Sequence, residues 1–297
     1  MNYVRIRAHG KINLGLDVLR KREDGYHEVR MIMQSVGLYD NIEIVNLGRS
    51  QTGKAEIEVE TNLRYLPNNE NNLAYKAALL LMEEFYISAH ISIKIRKMIP
   101  VAAGMAGGSA DAAAVLKGIN KLFGLRLTNE ELKKRGVTLG ADIPYCIDGG
   151  TALSEGIGEI LTPLPPMPPC IILLVKPPIN VSTKLVYGKL DAGNIDYHPD
   201  IDGMINAIKN GSLKELADKM GNVLATVTEG EYPIVTEIRE KMVSMGALNA
   251  MMSGSGPTVF GIFDNRELAK EAYNYFKSSE LGRQVYLTDG GNGDERY

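Results

Sequence analysis

The chain has 297 residues, 44% of them hydrophobic, and a formal net charge of −3. That is room for one large domain or two ordinary ones, and the slightly acidic balance argues against nucleic-acid binding, which goes with a basic excess. Cys146 and Cys170 sit outside any CxxC spacing and the four histidines form no HxxxH or HExxH pair, which argues against a disulfide framework or a metal site and predicts two buried free thiols.

In chain order, YVRIRAHGKINLGLDVL alternates apolar residues at Val4, Ile6 and Ala8, then at Ile12, Leu14 and Leu16, and predicts strand. It carries neither the apolar core nor the cleavage site of a signal peptide. No later stretch nears the ~20 apolar residues that cross a bilayer, so residence in the cytoplasm is expected. A turn at Asp24-Gly25 leads into two further strands, HEVRMIMQSVGL and NIEIVNL, and KAEIEVET gives another. Residues 72–86 have helical apolar spacing, and 90–99 alternate as strand over Ile91, Ile93 and Ile95. A helix runs to about Phe123, and the Thr128/Glu131 capping box starts another. Residues 141–161 read as turns and short strands.

The segment 162–170, TPLPPMPPC, has five prolines in nine residues and reads as a stiff crossing between domains 1–161 and 162–297. Beyond it come a strand at IILLVKP, helices at 183–190, 201–209, 212–225 and 233–245, a strand–glycine turn–strand unit at 247–264, a helix at 265–279 and a last strand, QVYLTD. The tail GGNGDERY is expected to be disordered. Strands crowd the first half without regular βα alternation, so the fold class is α+β in two domains.

The glycine-rich stretch VAAGMAGGSADAAA, 101–114, raises a functional question. Glycine loses more conformational entropy on folding than any other residue, so three of them before a helix need a reason. A plain turn with close packing is one. A dinucleotide fingerprint is another, but Gly104, Gly107 and Gly108 do not fit GxGxxG, and no GxxxxGK[ST] string occurs. A phosphate cradle is the third: free N–H groups at a helix N-terminus bind anions, glycines let the backbone come close, and Ser109 adds a hydroxyl.

From Pro100, PVAAGMAGGSADAAA resembles the PxxxGLGSSAA phosphate loop of the GHMP kinases. KINLGLDV from Lys11 is similar to that family's first motif, and MSGSGPTVFG, 252–261, to its third. Three motifs in order span nearly the whole chain. The resemblance implies an N-terminal domain like ribosomal protein S5 domain 2, a ferredoxin-like C-terminal domain and a site between them. Within the family, REDGYHEV, 22–29, and LGADIPYCIDGGTALSEGIGE, 139–159, resemble the branch that works on cytidylated methylerythritol. This implies transfer of the ATP γ-phosphoryl, with Mg²⁺, to the 2-hydroxyl of 4-(cytidine 5'-diphospho)-2-C-methyl-D-erythritol on the non-mevalonate route to isoprenoid precursors. It implies small-molecule partners only, neither nucleic acid nor membrane. Homoserine phosphorylation, a non-catalytic binding module and a dinucleotide-dependent oxidoreductase are the rivals. DGYHE, the Lys11/Asp142 pair and the failed GxGxxG spacing speak against them in turn.

The resemblance also implies roles. Asp142 faces the acceptor hydroxyl, to take its proton or orient it. Lys11 pairs with it and offsets phosphoryl charge. Asn13, two residues on, shares its strand face. Pro100, Val101, Ala102, Ala103, Gly104, Met105, Ala106, Gly107, Gly108, Ser109 and Ala110 form the ATP loop, and Asn72 and Lys97 are candidates for adenine. Tyr26, His27, Thr183 and Tyr187 belong to the cytidine end, the two tyrosines as stacking partners. The chain departs from the family pattern at Met105-Ala106 for Leu-Gly, at Ala110 for a second serine, and at His9-Gly10 for Pro-Ala.

Overall fold

A computed structural model describes residues 2–290. The tail expected to be disordered lies outside these residues except for Gly290, which bridges Val36. Strands β1 (Tyr3–Lys21) and β2 (His27–Arg49) pair antiparallel along nearly their whole length, joined at the Asp24-Gly25 turn. The sequence predicts two strands where β2 runs on through Asp40. That side chain is fully buried yet breaks nothing, because its carboxylate accepts the backbone N–H groups of Met98 and Ile99 and the Lys97 ammonium.

Next come β3 (Glu56–Thr61), α1 (Leu73–Glu84), β4 (Ala89–Arg96), α2 (Gly107–Phe123), α3 (Asn129–Gly136), α4 (Ile143–Asp148), β5 (Thr151–Gly156) and β6 (Ile160–Pro163). The sheet runs β3-β4-β2-β1, with β5 on the far half of β2 and β6 on β5. Helix α3 opens on the expected capping box. Helix α4 differs from the sequence reading of turns there. Pro144 falls in its first turn, where no intrahelical N–H bond is lost, so the proline starts the helix instead of breaking it.

Helix α2 buries Ala112, Val115, Leu116 and Ile119 against β1, β2 and α1. Each large apolar side chain so buried contributes roughly 1.5–3 kcal/mol. The helix lies so close to the sheet that a Cβ on Gly118 would stand 2.5 Å from Ile44 Cδ1.

The second half holds β7 (Ile171–Lys176), α5 (Thr183–Lys189), α6 (Ile201–Lys209), α7 (Leu213–Lys219), β8 (Gly221–Asn222), α8 (Ala225–Glu231), α9 (Pro233–Ser244), β9 (Asn249–Met252), β10 (Val259–Phe263), α10 (Arg266–Ser278) and β11 (Gln284–Asp289). Its antiparallel sheet runs β11-β7-β10-β9, with α9 and α10 packed on it, which is the ferredoxin-like arrangement. The single helix predicted over 212–225 is interrupted. Gly221-Asn222 pairs in parallel with Gly15-Leu16 of β1, and the Asn222 amide donates to the carbonyls of Met252 and Gly254. No helix among the described residues is long and apolar enough to cross a membrane.

Candidate active site

A cleft of about 590 Å³ opens between the two sheets, lined by every residue from Pro100 to Ser109 and by Lys11, Asn13, Asn72, Lys97, Asp142, Thr183 and Tyr187. A larger hollow of 720 Å³, near Gly37, Met167, Arg266 and Asp289, holds none of the predicted site residues.

The glycine stretch links β4 to α2. Its left-handed positions are Ala102, Gly104 and Ala106. A Cβ on Gly104 would lie 2.0 Å from the Ser253 carbonyl oxygen, so only glycine fits where the two glycine loops touch. The Ser253 hydroxyl donates to the Gly104 carbonyl at 2.9 Å. Gly107 is helical and sits over Ile99 and Lys97. Gly108 has room, its missing Cβ only 3.6 Å from Leu73 Cδ1. Helix α2 begins here without a side-chain cap. Its first N–H groups lack intrahelical acceptors and face a cleft with space over Gly108, an arrangement that suits a phosphate. Ser109 is half-buried on this first turn. Ala110 is not part of the cleft lining. Its methyl is buried in the core.

The Gly10 departure also has a structural account. The β1–β2 register shifts between His9 and Lys11, and the Lys11 N–H leaves the ladder to donate to the Met105 carbonyl at 3.1 Å. The bulge thus fastens the loop to β1.

Lys11 and Asn13 point the same way, with Lys11 Nζ donating to Asn13 Oδ1 at 2.7 Å. The expected Lys11–Asp142 pair is not formed. Among the described residues no ion pair reaches Lys11, although it is only 5% exposed. A buried ammonium with one amide partner still lacks a counter-charge. Asp142 holds the N-cap position of α4, half-buried, and among the described residues its carboxylate accepts no hydrogen bond. Buried Tyr145 fixes that helix by donating to the Gly150 carbonyl at 2.7 Å and meeting Ser35 Oγ at 3.1 Å. Burial pushes the neighbouring Cys146 thiol well up, and the Asp142 charge adds to this. Both cysteines are free and half-buried, less covered than expected.

At the other end the Thr183 hydroxyl meets Ser255 Oγ at 2.8 Å. The rings of His27 and Tyr187 lie 5.1 Å apart, tilted by 40°. Partial burial lowers the His27 pKa, with the Lys21 charge acting in the same direction. Burial raises that of the Tyr187 hydroxyl, helped by Asp142. Neither Tyr26 nor His27 lines the cleft: Tyr26 stands 60% exposed on the hairpin, and His27 touches the cleft only through Tyr187.

The two candidates for adenine are already engaged. The Asn72 amide caps α1, accepting from Ala74 N and donating to the Pro67 carbonyl. Lys97 is buried between Asp40 and Asp111. The cleft wall also holds Asp111, which the sequence analysis does not assign to the site, and Gly254 and Ser255 of the 252–261 motif. For Asp111 the signal was available, an aspartate among alanines on the buried side of a helix.

Residues 72–150 match the N-terminal domain of the GHMP kinases and 204–280 the C-terminal domain. A 4-diphosphocytidyl-2-C-methyl-D-erythritol kinase from Lachnospira eligens is 52% identical over 97% of this chain and 99% of its own length. One from Alkaliphilus oremlandii is 51% identical over 99% and 98%. The chain belongs to this kinase family within the GHMP kinases. A crystal structure of a 4-(cytidine 5'-diphospho)-2C-methyl-D-erythritol kinase superposes on this GHMP kinase with TM-score 0.81 at 30% identity, over 97% of this chain and all of the other. Homoserine kinase from Cytophaga hutchinsonii, at 18% identity and TM-score 0.78 over 98% and 96%, shares the fold.

Proposed function

We propose that this kinase transfers the γ-phosphoryl of ATP to the 2-hydroxyl of 4-(cytidine 5'-diphospho)-2-C-methyl-D-erythritol. What carries the reading is that the Asp142 carboxylate and the Lys11 ammonium, neither with an ion-pair partner among the described residues, line one cleft with the open helix turn at Gly107–Ser109. The relatives' shared name supplies the acceptor.

The turn holds the triphosphate through backbone N–H groups. Asp142 accepts the proton of the 2-hydroxyl as its oxygen bonds to the γ-phosphorus. The bond from that phosphorus to its bridging oxygen breaks, and ADP leaves. Lys11, kept in place by Asn13, offsets charge on the transferring group. Mg²⁺ belongs to the reading as the ion that neutralises phosphate charge. It dehydrates reluctantly, which suits a site of phosphate oxygens and water, with the Ser109 hydroxyl as the side-chain oxygen on the turn. Tyr187, its hydroxyl kept neutral, offers a ring to the cytosine, with His27 behind it and Tyr26 at the rim. Residence in the cytoplasm is part of the same reading, as are two domains divided near 161/162.

The test is phosphoryl transfer from ATP to the cytidylated methylerythritol, homoserine and mevalonate, followed by ³¹P NMR. A new phosphomonoester on the first alone is expected. Turnover of homoserine or mevalonate at a similar rate would sink the assignment.

A further inference from the structure

Beneath the phosphate turn lies a cluster of three buried charges that the mechanism above does not use. Lys97 Nζ stands 2.5 Å from Asp40 Oδ2 and 2.6 Å from Asp111 Oδ2, with all three side chains at most 7% exposed. They come from three elements: Asp40 from β2, Asp111 from the second turn of α2, and Lys97 from the residue just past β4. The second Asp40 oxygen accepts the N–H groups of Met98 and Ile99, the two residues that feed the loop. The cluster therefore grips the glycine loop at both ends, at 97–99 where it begins and at 111 just after it closes.

Two further observations point from the cluster to a ligand. Lys97 lines the cleft, and a Cβ on Gly107 would lie only 3.4 Å from its Nζ, so the ammonium sits directly under the turn. Two of its three donors serve the carboxylates; the third has no partner among the described residues. Asp111 Oδ1 is likewise buried without a hydrogen-bond partner, although its residue is part of the cleft wall.

Charge decides what the cluster can do. Two carboxylates and one ammonium sum to −1, which would repel a triphosphate. One proton on a carboxylate brings the sum to zero. Asp40 accepts hydrogen bonds from three donors and Asp111 from one. Asp111 is the one that takes the proton.

We propose that Lys97 is a positioning residue for the phosphates of the nucleotide, not a contact for its adenine, and that Asp111 is protonated when the triphosphate is bound. This rests on the reading of Gly107–Ser109 as the phosphate turn. Burial supports it, holding the Asp111 carboxyl up to about 8, with the Asp40 charge adding to this and Lys97 opposing it. The Asp111 charge also reaches the Cys146 thiol on α4, which burial keeps neutral.

The experiment compares binding of adenosine and of a non-hydrolysable ATP analogue by calorimetry at pH 7 and pH 9. Lys97→Met should weaken the analogue by about 10- to 100-fold, the range for a hydrogen bond to a charged group, and leave adenosine within about threefold. Equal losses for both ligands, or no loss for either, would overturn the proposal. Wild-type affinity for the analogue should fall from pH 7 to pH 9. In Asp111→Asn, which keeps an acceptor for Lys97, that fall should vanish, and its persistence would remove the proton from the proposal. Lys97→Met/Asp111→Leu guards against misfolding by replacing the pair with apolar groups. Its melting temperature should recover while the analogue stays weak, and recovered affinity would reduce the cluster to a structural part. If wild type binds no ATP analogue at all, the phosphate-turn reading itself has failed.

Discussion

The two ends of the cleft are built from different materials. At the end proposed to hold phosphate the walls are mostly backbone, two glycine loops in contact and a helix terminus, braced from beneath by buried charges fixed from three elements. At the proposed cytidine end they are side chains, Thr183 and Tyr187 on a seven-residue helix, with His27 tilted against Tyr187 from behind and Tyr26 exposed outside the wall. A backbone cradle is hard to alter without disturbing the fold. A side-chain platform can be changed one residue at a time.

The sharpest break of that comparison falls where the ends meet. Asp142→Asn should lower kcat by roughly 10²-fold or more with little change in melting temperature, because its carboxylate accepts no hydrogen bond from the described residues and the shapes nearly match. Steady-state kinetics that stay within a few-fold of wild type would take Asp142 out of the chemistry. At the side-chain end, Tyr187→Ala should raise KM for the cytidylated substrate about tenfold to a hundredfold and leave KM for ATP alone, since a base on an aromatic ring gains roughly 1–3 kcal/mol. Tyr26→Ala should do less, because Tyr26 is outside the cleft wall.

At the backbone end the glycines should separate cleanly. Gly108→Ala meets only Leu73 at 3.6 Å, so the variant should fold normally and lose about tenfold in ATP affinity by filling the phosphate space. Gly104→Ala drives a methyl into the Ser253 carbonyl and should show first as a lower melting temperature. Equal melting temperatures for the two would remove the distinction between cradle and contact. A separate effect is in pH. Asp111 binds its proton more tightly folded than unfolded, so its contribution to stability is full below the unfolded pKa of about 3.9 and is lost as pH rises towards about 8. Asp111→Asn should flatten that part of a plot of melting temperature against pH, and an unchanged slope would mean that another group carries it.

Much of the site was legible because it consists of short runs with fixed offsets. Lys11 and Asn13 share a face through strand alternation, and the 100–109 loop announces itself by the cost of its glycines. The misses have physical causes. Asp40 reads as a strand breaker until its three donors, 57 to 59 residues away, are known. Pro144 reads as a breaker unless it falls in a first helical turn. Lys97 looks available to adenine because neither of its carboxylate partners is a sequence neighbour. The strand at 221–222 is invisible locally, because only its partner on β1 defines it.

That two-residue strand has a consequence for how the molecule comes apart. Met204 and Ile201 pack against Gly15 so tightly that a Cβ there would meet Met204 Cε at 2.4 Å. Phe260, Ile172 and Leu174 share one apolar cluster with Ile12 and Ile32. The two sheets are separate in topology but not in cohesion. Neither half keeps its share of that interior covered when the other is removed, so a cut at the proline crossing should expose apolar surface on both fragments.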